Sequence, residues 1–436
     1  RKPAAAPPAA APASAATTAP GESLSYDDAV ARAKARQVPL IVDFHAPWCY
    51  SCYFMATNVL TGPEWQAVEK KSVVVEVDAD SPEGAALRQR YGVKMLPSYL
   101  VLNAQGEELG RILGEQTRAD FYPQLDKFLD AGQPLTAVLA AVRDGSPASV
   151  AAGRTVLKSF QARYDGDGGL QWFAGLPADA RAALGQDAPS ALLLARLKFL
   201  QARKAGDDQA ALAIGREVLA GDLGCERSYE LDPYLELAAK QADAKALAGA
   251  QRAAAEQLVD EGVFGTAPCA DKRSAVLALA DVYAALGDET AKEALLRKAI
   301  ADVEAQIGGE LKKDRNLDDN LRIYNDQLAG LTGNYRAYDA LMPQLIAAWP
   351  DDYVYAYRWG KSLLARGKAA EALAQFEAAA GKAYGINRLQ LAELRVQALQ
   401  GLQRGDEAKR VAAEALKANG PWFPDEAAKL KALVKA

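Results

Sequence analysis

The stretch Phe44–Cys52 reads FHAPWCYSC and contains two of the four cysteines in this chain of 436 residues. It follows the apolar run Leu40–Phe44, which predicts a buried strand, and Cys49 begins a segment that predicts a helix. The free N–H groups and the dipole at a helix start stabilise an anion, so a cysteine there shifts towards the reactive thiolate. Cys52 lies almost one turn further on and can reach the first sulfur. We therefore expect Cys49 to attack and Cys52, more shielded inside the helix, to resolve.

Two other interpretations of Cys49 and Cys52 are a purely structural disulfide and half of a metal site. The chain has no second Cys-x-x-Cys motif and only one histidine, His45, which disfavours a metal. The strand before the motif and the helix after it favour redox chemistry over a structural bond. The sequence thus predicts no metal and no cofactor other than the redox-active Cys49–Cys52 disulfide.

The pattern around the motif predicts a small α/β domain over residues 23–132. Short apolar segments typical of strands alternate with amphipathic segments typical of helices. Asn103–Gly106 carries turn residues between two strand-like runs, which predicts a hairpin. The predicted helices cover residues 26–37, 49–60, 82–91 and 118–129, and the predicted strands cover residues 40–44, 73–77, 98–102 and 107–113.

Residues 133–436 are rich in Ala and Leu and are broken by short Gly and Asp turns, which predicts an all-α domain. The turns at Gly333 and Gly367 are 34 residues apart, the period of a tetratricopeptide repeat. Gly360, Ala372 and Phe376 fit the small and aromatic positions of such a unit. The region resembles tetratricopeptide helix pairs most clearly over residues 324–415, and a plain helical domain without repeats is the alternative.

Four features follow one another along residues 24–131, namely Asp43, Trp48, the Cys49–Cys52 pair and Pro97. With these residues in this order, residues 24–131 resemble the thioredoxin family. Within the family, residues 58–65 and 92–97 look most like the periplasmic thioredoxin-like domain of the Dsb disulfide-interchange transporters. The resemblance implies thiol–disulfide exchange with protein thiols and disulfides as substrates.

The resemblance also implies roles for individual residues. Asp43 stands at the family's buried-carboxylate position, where a raised pKa would let it exchange a proton with Cys52. Pro97 matches the cis-proline that faces the motif, and with Leu96 and Trp48 it would bind the substrate chain. The alternatives are a water-facing carboxylate at the strand edge for Asp43 and a simple turn residue for Pro97.

The sequence departs from the family at several positions of the motif region. Tyr50-Ser51 replaces the Gly-Pro of thioredoxins and the Pro-His of strong oxidants, and Tyr53 stands where a basic residue is common. Glu76 stands where a lysine often lies near the buried carboxylate. These departures affect the expected redox potential and leave the expected chemistry unchanged.

Further residues have two interpretations each. Cys225 and Cys269 lie in turn-like stretches between helices and predict a structural disulfide, with two unrelated buried thiols as the alternative. His45 could tune the thiolate or simply pack. The aromatic residues that crowd one predicted helix could line a binding groove or pack between repeats; they are Tyr353, Tyr355, Tyr357 and Trp359.

Composition limits the partners and the location of the chain. The net charge is −5 without a basic stripe, so a nucleic-acid partner has no electrostatic support, and no apolar run approaches the roughly 18 residues of a membrane span. Residues 1–22 are mostly Ala and Pro and predict a semi-rigid tether, with a remnant of no structural role as the alternative. Such tethers suggest a periplasmic or otherwise exported protein, tethered through an N-terminus removed before Arg1.

Two functions fit these observations. The first is a thiol–disulfide oxidoreductase whose helical region binds a protein partner. The second is a protein-binding module or holdase-type chaperone in which redox activity is secondary.

Overall fold

The computed structural model describes residues 24–435, so the predicted tether lies outside the described residues. The first unit is built around one mixed sheet in the order β2-β1-β3-β4. Strand β1 runs parallel to β2 and antiparallel to β3, which pairs antiparallel with β4. The strands are β1 (Leu40–His45), β2 (Val73–Asp78), β3 (Ser98–Leu102) and β4 (Glu108–Leu113). The helices are α1 (Tyr26–Arg36), α2 (Tyr50–Asn58), α3 (Gly62–Lys71), α4 (Pro82–Tyr91) and α5 (Arg118–Ala131).

Both faces of this sheet are covered by helices, which explains the continuous apolar run of β1. Val42 and Phe44 point to the face of α1 and α4 and pack with residues such as Leu87. Ile41 points to the opposite face and packs with Met55 of α2 and with residues of α3 and α5. Because side chains alternate along a strand, Asp43 shares the face of Ile41, beneath α2.

The rest of the described chain is all helical. Its helices are α6 (Leu135–Ala140), α7 (Pro147–Ala162), α8 (Gly166–Ala174), α9 (Ala178–Gln186), α10 (Ala188–Ala205), α11 (Asp208–Ala220), α12 (Arg227–Ala238), α13 (Ala244–Gly249), α14 (Arg252–Gly262), α15 (Lys272–Leu286), α16 (Glu289–Ile307), α17 (Arg315–Thr332), α18 (Arg336–Ala348), α19 (Val354–Ala365), α20 (Ala369–Ala380), α21 (Ile386–Gly401), α22 (Gly405–Asn419) and α23 (Pro424–Lys435). Two short 3₁₀ helices lie at Gly224–Glu226 and Gly420–Trp422. The predicted fold class, a thioredoxin-like α/β unit followed by an all-α region, is confirmed.

The helix pair α19–α20 shows how the small and aromatic residues of the predicted repeat pack. A Cβ atom on Gly360 would lie 2.5 Å from the ring of Phe376, so glycine lets the two helices approach closely. Gly367 takes a φ of 75° in the turn between them, a conformation that favours glycine. Ala372 and Phe376 are fully buried in the core shared by α19 to α23.

Candidate redox site

The motif lies where β1 ends and α2 begins. Cys49 is the N-cap residue of α2, and its Sγ accepts a hydrogen bond from the backbone N–H of Cys52 at 3.1 Å. Cys49 and Cys52 are joined by a disulfide, with Cα atoms 5.2 Å apart. An N–H group aimed at Sγ of Cys49 and the positive end of α2 both favour a thiolate at this sulfur once the bond is reduced.

Asp43 is buried in the middle of β1, on the face that carries α2. Burial raises the pKa of its carboxyl to about 7; the positive charge of His45 lowers this pKa and the negative charge of Glu76 raises it. Glu76 lies directly opposite Asp43 in the parallel pairing of β1 and β2. A carboxyl with a pKa near 7 exchanges protons readily at neutral pH.

The Leu96–Pro97 peptide is cis and immediately precedes β3. Ser98 pairs with Phe44, so this peptide lies beside the end of β1, where the motif begins. Pro97 is buried and its carbonyl accepts from the N–H of Gly114 at 2.9 Å, whereas Leu96 is half-buried. The fold therefore brings Pro97 and Leu96 to the same end of the sheet as Cys49.

Trp48 is the most exposed residue of the motif region, with 39% of its surface accessible. Its indole Nε1 donates to Oδ2 of Asp80 at 2.7 Å, which fixes the ring between the motif and the loop after β2. The same oxygen, Oδ2 of Asp80, also accepts from Nδ2 of Asn387 in α21 at 3.1 Å.

The helical region packs directly on the motif, which no sequence pattern indicated. Asn316 Nδ2 donates to the carbonyl of Tyr50 at 3.0 Å. The guanidinium carbon of Arg273 lies 3.5 Å from the centroid of the Tyr50 ring. The guanidinium carbon of Arg315 lies 4.5 Å from the centroid of the Tyr53 ring. The two tyrosines that depart from the thioredoxin pattern are therefore among the residues that the helical region contacts.

This packing reverses the predicted order of exposure of the two cysteines. We expected Cys49 to be open and Cys52 to be shielded, yet only 3% of Cys49 is exposed and Cys52 is partly exposed. The expectation considered the motif alone, where a helix N-terminus is open to solvent. The N-terminal end of α17 occupies that space.

Glu115 is a second buried carboxyl beside the motif, and sequence reasoning missed it. It follows β4 and is 8% exposed. Burial raises the pKa of Glu115 well above its usual range, and the charge of Asp271 adds to this effect. Its Oε1 has no hydrogen-bond partner among residues 24–435. A glutamate after a glycine at a strand end gave no signal that separates it from a surface residue.

The remaining candidates lie apart from the sulfurs or pack around them. His45 ends β1 half-buried, and its Nδ1 has no partner in the described part of the chain. Tyr353 and Tyr355 are buried and belong to the cores of the helical region, whereas Tyr357 and Trp359 are half-buried against them. The four aromatic side chains thus pack between helices.

Cys225 and Cys269 are joined by a disulfide in the structure, with Cα atoms 5.7 Å apart. The bond connects the 3₁₀ helix before α12 to the loop before α15. The hydroxyl of Tyr229 in α12 donates a hydrogen bond of 2.7 Å to the carboxylate of Asp271, the N-cap residue of α15. The disulfide therefore ties together the helix starts that lie next to Glu115 and Tyr50.

We expect the double variant Cys225→Ser/Cys269→Ser to lose about 2–4 kcal/mol of unfolding free energy, because the bond closes a loop of 44 residues in the unfolded chain. Urea unfolding of the variant and the parent, each with Cys49–Cys52 oxidised, measures the difference. Equal unfolding midpoints and slopes would contradict a stabilising role for this bond.

Comparison with known proteins agrees with this geometry. A family model described as thioredoxin-like matches residues 22–104. The N-terminal part of the chain is therefore a thioredoxin-like domain, as the sequence predicted.

Individual relatives match the same part of the chain. Thiol:disulfide interchange protein DsbD of Klebsiella pneumoniae is 33% identical over 103 residues, which are 23% of this chain and 17% of that protein. Thiol:disulfide interchange protein TxlA of Synechococcus elongatus is 30% identical over 114 residues, 26% of this chain and 56% of that protein. The chain thus spans less than two thirds of the length of these curated relatives.

Two solved structures are also similar. A thioredoxin from Thermus thermophilus shares 36% identity over 23% of this chain and 82% of its own, with a TM-score of 0.23. A tetratricopeptide repeat protein from Parabacteroides merdae shares 17% identity over 66% of this chain and 97% of its own, with a TM-score of 0.40.

Within residues 24–435, no helix is both long and apolar enough to cross a membrane.

Proposed function

We propose that this protein is a thiol–disulfide oxidoreductase that acts on disulfides of other proteins through Cys49 and Cys52. The observation that carries the proposal is the position of Cys49. Its sulfur caps α2, accepts the N–H of Cys52 and is bonded to the sulfur of Cys52. Such a sulfur is a stabilised thiolate when reduced and a good leaving group when oxidised.

In the reducing direction, the thiolate of Cys49 attacks one sulfur of a substrate disulfide. A mixed disulfide forms between Cys49 and the substrate, and the other substrate sulfur leaves as a thiolate that takes up a proton. Cys52 then loses its proton and attacks Sγ of Cys49, which releases the second substrate thiol. The motif is oxidised by two electrons and the substrate is reduced by two. The reverse sequence oxidises a substrate dithiol.

The neighbours of the sulfurs support these steps. Asp43 lies beneath α2 with a pKa near 7 and is the group we assign to accept the proton of Cys52. Leu96 and Pro97 lie beside the motif and would pair with an extended substrate segment. Trp48 would pack against the same segment, because it is exposed beside Cys49.

We further propose that the protein works in an oxidising compartment such as the periplasm. Both cysteine pairs of the described chain are disulfides, which persist outside the reducing cytosol. The resemblance to the Dsb interchange domains supports the same location. A partner-binding role for the helical region stays a prediction.

Reduction of insulin by dithiothreitol, with and without the protein, tests the proposed function. We expect the protein to accelerate reduction and the variant Cys49→Ser to lose the acceleration, because the attacking sulfur is gone. Cys225→Ser/Cys269→Ser is the matched control that keeps the motif. The same samples should also be assayed for suppression of aggregation of a client without cysteines. If the parent protein does not accelerate insulin reduction and Cys49→Ser still suppresses aggregation of the client, the proposed oxidoreductase function is wrong and the chaperone function takes its place.

A further inference from the structure

The helical region binds the backbone on both sides of Cys49. Cys49 is 3% exposed, although it is the N-cap residue at the start of α2. Arg358 of α19 donates to the carbonyl of Trp48 at 3.2 Å, and Asn316 of α17 donates to the carbonyl of Tyr50 at 3.0 Å. The residues immediately before and after Cys49 are therefore both bound by the helical region.

The side chains of the motif are held in the same way. Arg273 of α15 stacks on the Tyr50 ring, and Arg315 of α17 lies over the Tyr53 ring. These two aromatic positions are departures from the thioredoxin pattern, and each receives a cation from the helical region. Stacking of a guanidinium on an aromatic face is a favourable and orientation-specific contact.

The arginines are fixed by carboxylates of their own region. Arg273 pairs with Asp319 at 2.6 Å, and Asp319 also pairs with Arg322 at 2.8 Å. Arg315 pairs with Asp352. All of these side chains are nearly buried, so the cationic surface that faces Tyr50 and Tyr53 is preformed on the helical region.

A second set of contacts holds the cover at the loop after β2. The backbone N–H of Ile386 donates to the carbonyl of Asp80 at 3.2 Å, and Tyr384 hydrogen-bonds with Asp78. Together with Asn387 on Asp80, these contacts place the start of α21 beside Trp48. The contacts described at both places are hydrogen bonds and cation–ring contacts, which water can replace when two units separate.

We propose that the helical region is a gate that determines which molecules reach Cys49, with Arg273, Arg315, Asn316 and Arg358 as its specificity-determining residues. This inference rests on the proposed function. In the closed arrangement a protein disulfide has little room to approach the sulfur of Cys49, because Arg358 of α19 and Asn316 of α17 lie against the backbone on both sides of it. Protein substrates react after these contacts are released, whereas small thiol reagents need less room.

Alkylation of the reduced wild-type protein tests the gate without a substrate. Mild reduction opens Cys49–Cys52, and peptide mass mapping then gives the rates at which Cys49 reacts with iodoacetamide and with a polyethylene-glycol maleimide of protein size. The quantity compared is the rate with iodoacetamide divided by the rate with the bulky maleimide. If the open state holds about a tenth of the molecules or less, this ratio should be about tenfold or more larger for Cys49 than for free glutathione. The same ratio on Cys49 and on glutathione would overturn the proposal.

The double variant Asn316→Ala/Arg358→Ala removes both hydrogen bonds to the carbonyls beside Cys49. It leaves Asp319 paired with Arg273 and Arg322. We expect its reaction with the bulky reagent to rise at least about threefold, since the open population increases. Arg297→Ala is the control, because Arg297 is 60% exposed and pairs with Glu293 on its own helix.

If the double variant keeps its helical circular dichroism and its rate with the bulky reagent is unchanged, the proposal is overturned. If the variant unfolds, the test rests on the wild-type protein alone, through the ratio of its rates with the small and the bulky reagent. Alkylation does not require turnover. If the wild type is size-selective and the opened variant Asn316→Ala/Arg358→Ala also fails to accelerate insulin reduction, the proposed function is refuted and the gate is supported.

Discussion

Replacing Cys52 with serine is expected to turn the protein into a covalent trap for its substrates. Cys49 keeps its position at the N-cap of α2 and can still form a mixed disulfide. Without the thiol of residue 52, nothing in the motif displaces the substrate from Cys49. Non-reducing gels of the variant isolated from its host should show high-mass bands that disappear on reduction, and mass spectrometry should place the bond on Cys49.

The variant Cys49→Ser is the matched control and should trap nothing, because the remaining Cys52 lies inside the helix and is not the leading nucleophile. Turnover of insulin should fall to the uncatalysed rate in both variants. Trapped partners on Cys52 in the Cys49→Ser variant, with none on Cys49 in the Cys52→Ser variant, would reverse the assignment of the two sulfurs.

Replacing Asp43 with asparagine is expected to slow the resolving step about a hundredfold near pH 7.5, the lower end of the effect expected for loss of a general base. Burial raises the pKa of the Asp43 carboxyl to about 7, so the group is mostly ionised above this pH and can accept the proton of Cys52. The wild-type rate should therefore rise as pH increases through about 7. The rate of the variant should rise only at higher pH, where thiols ionise without a base; a free cysteine thiol ionises near pH 8.5. Stopped-flow release of a fluorescent substrate thiol measures both profiles.

Glu76→Gln provides a directional control for this prediction. The negative charge of Glu76 raises the pKa of Asp43, so its removal should move the rising limb of the profile to lower pH without lowering the plateau. Identical profiles for the wild type and Asp43→Asn would contradict the role of Asp43 as a base.

Local sequence signals were sufficient for most helices and strands of the thioredoxin-like unit. Helix α4 and strand β3 have the predicted bounds, because Ser81 caps α4, Gly92 ends it and the run Ser98–Leu102 is buried on both faces. Helix α3 was not predicted from periodicity, since its short sequence GPEWQAVEKK has only one buried residue, Val68. The resemblance to thioredoxin placed the short segments in the order of strands and helices, which their own patterns do not determine.

The closed site could not be predicted, because it depends on contacts between residues more than 200 positions apart. Arg273, Arg315 and Asn316 look like ordinary helix residues in the sequence. Their partners are Tyr50 and Tyr53, whose only signal was a departure from the thioredoxin pattern. Such a departure shows that the motif region differs from that of other thioredoxins. Only the fold shows that Tyr50 and Tyr53 contact the helical region.

The reduction potential of the Cys49–Cys52 pair tests the central claim most directly. The oxidised fraction is measured by mass spectrometry of alkylated protein equilibrated in glutathione and dithiothreitol buffers. The account predicts a single two-electron transition between about −120 and −270 mV, the range of exchange-active thioredoxin-fold proteins, with Cys225–Cys269 oxidised throughout. A potential for Cys49–Cys52 below about −300 mV, which is typical of structural disulfides, would contradict it.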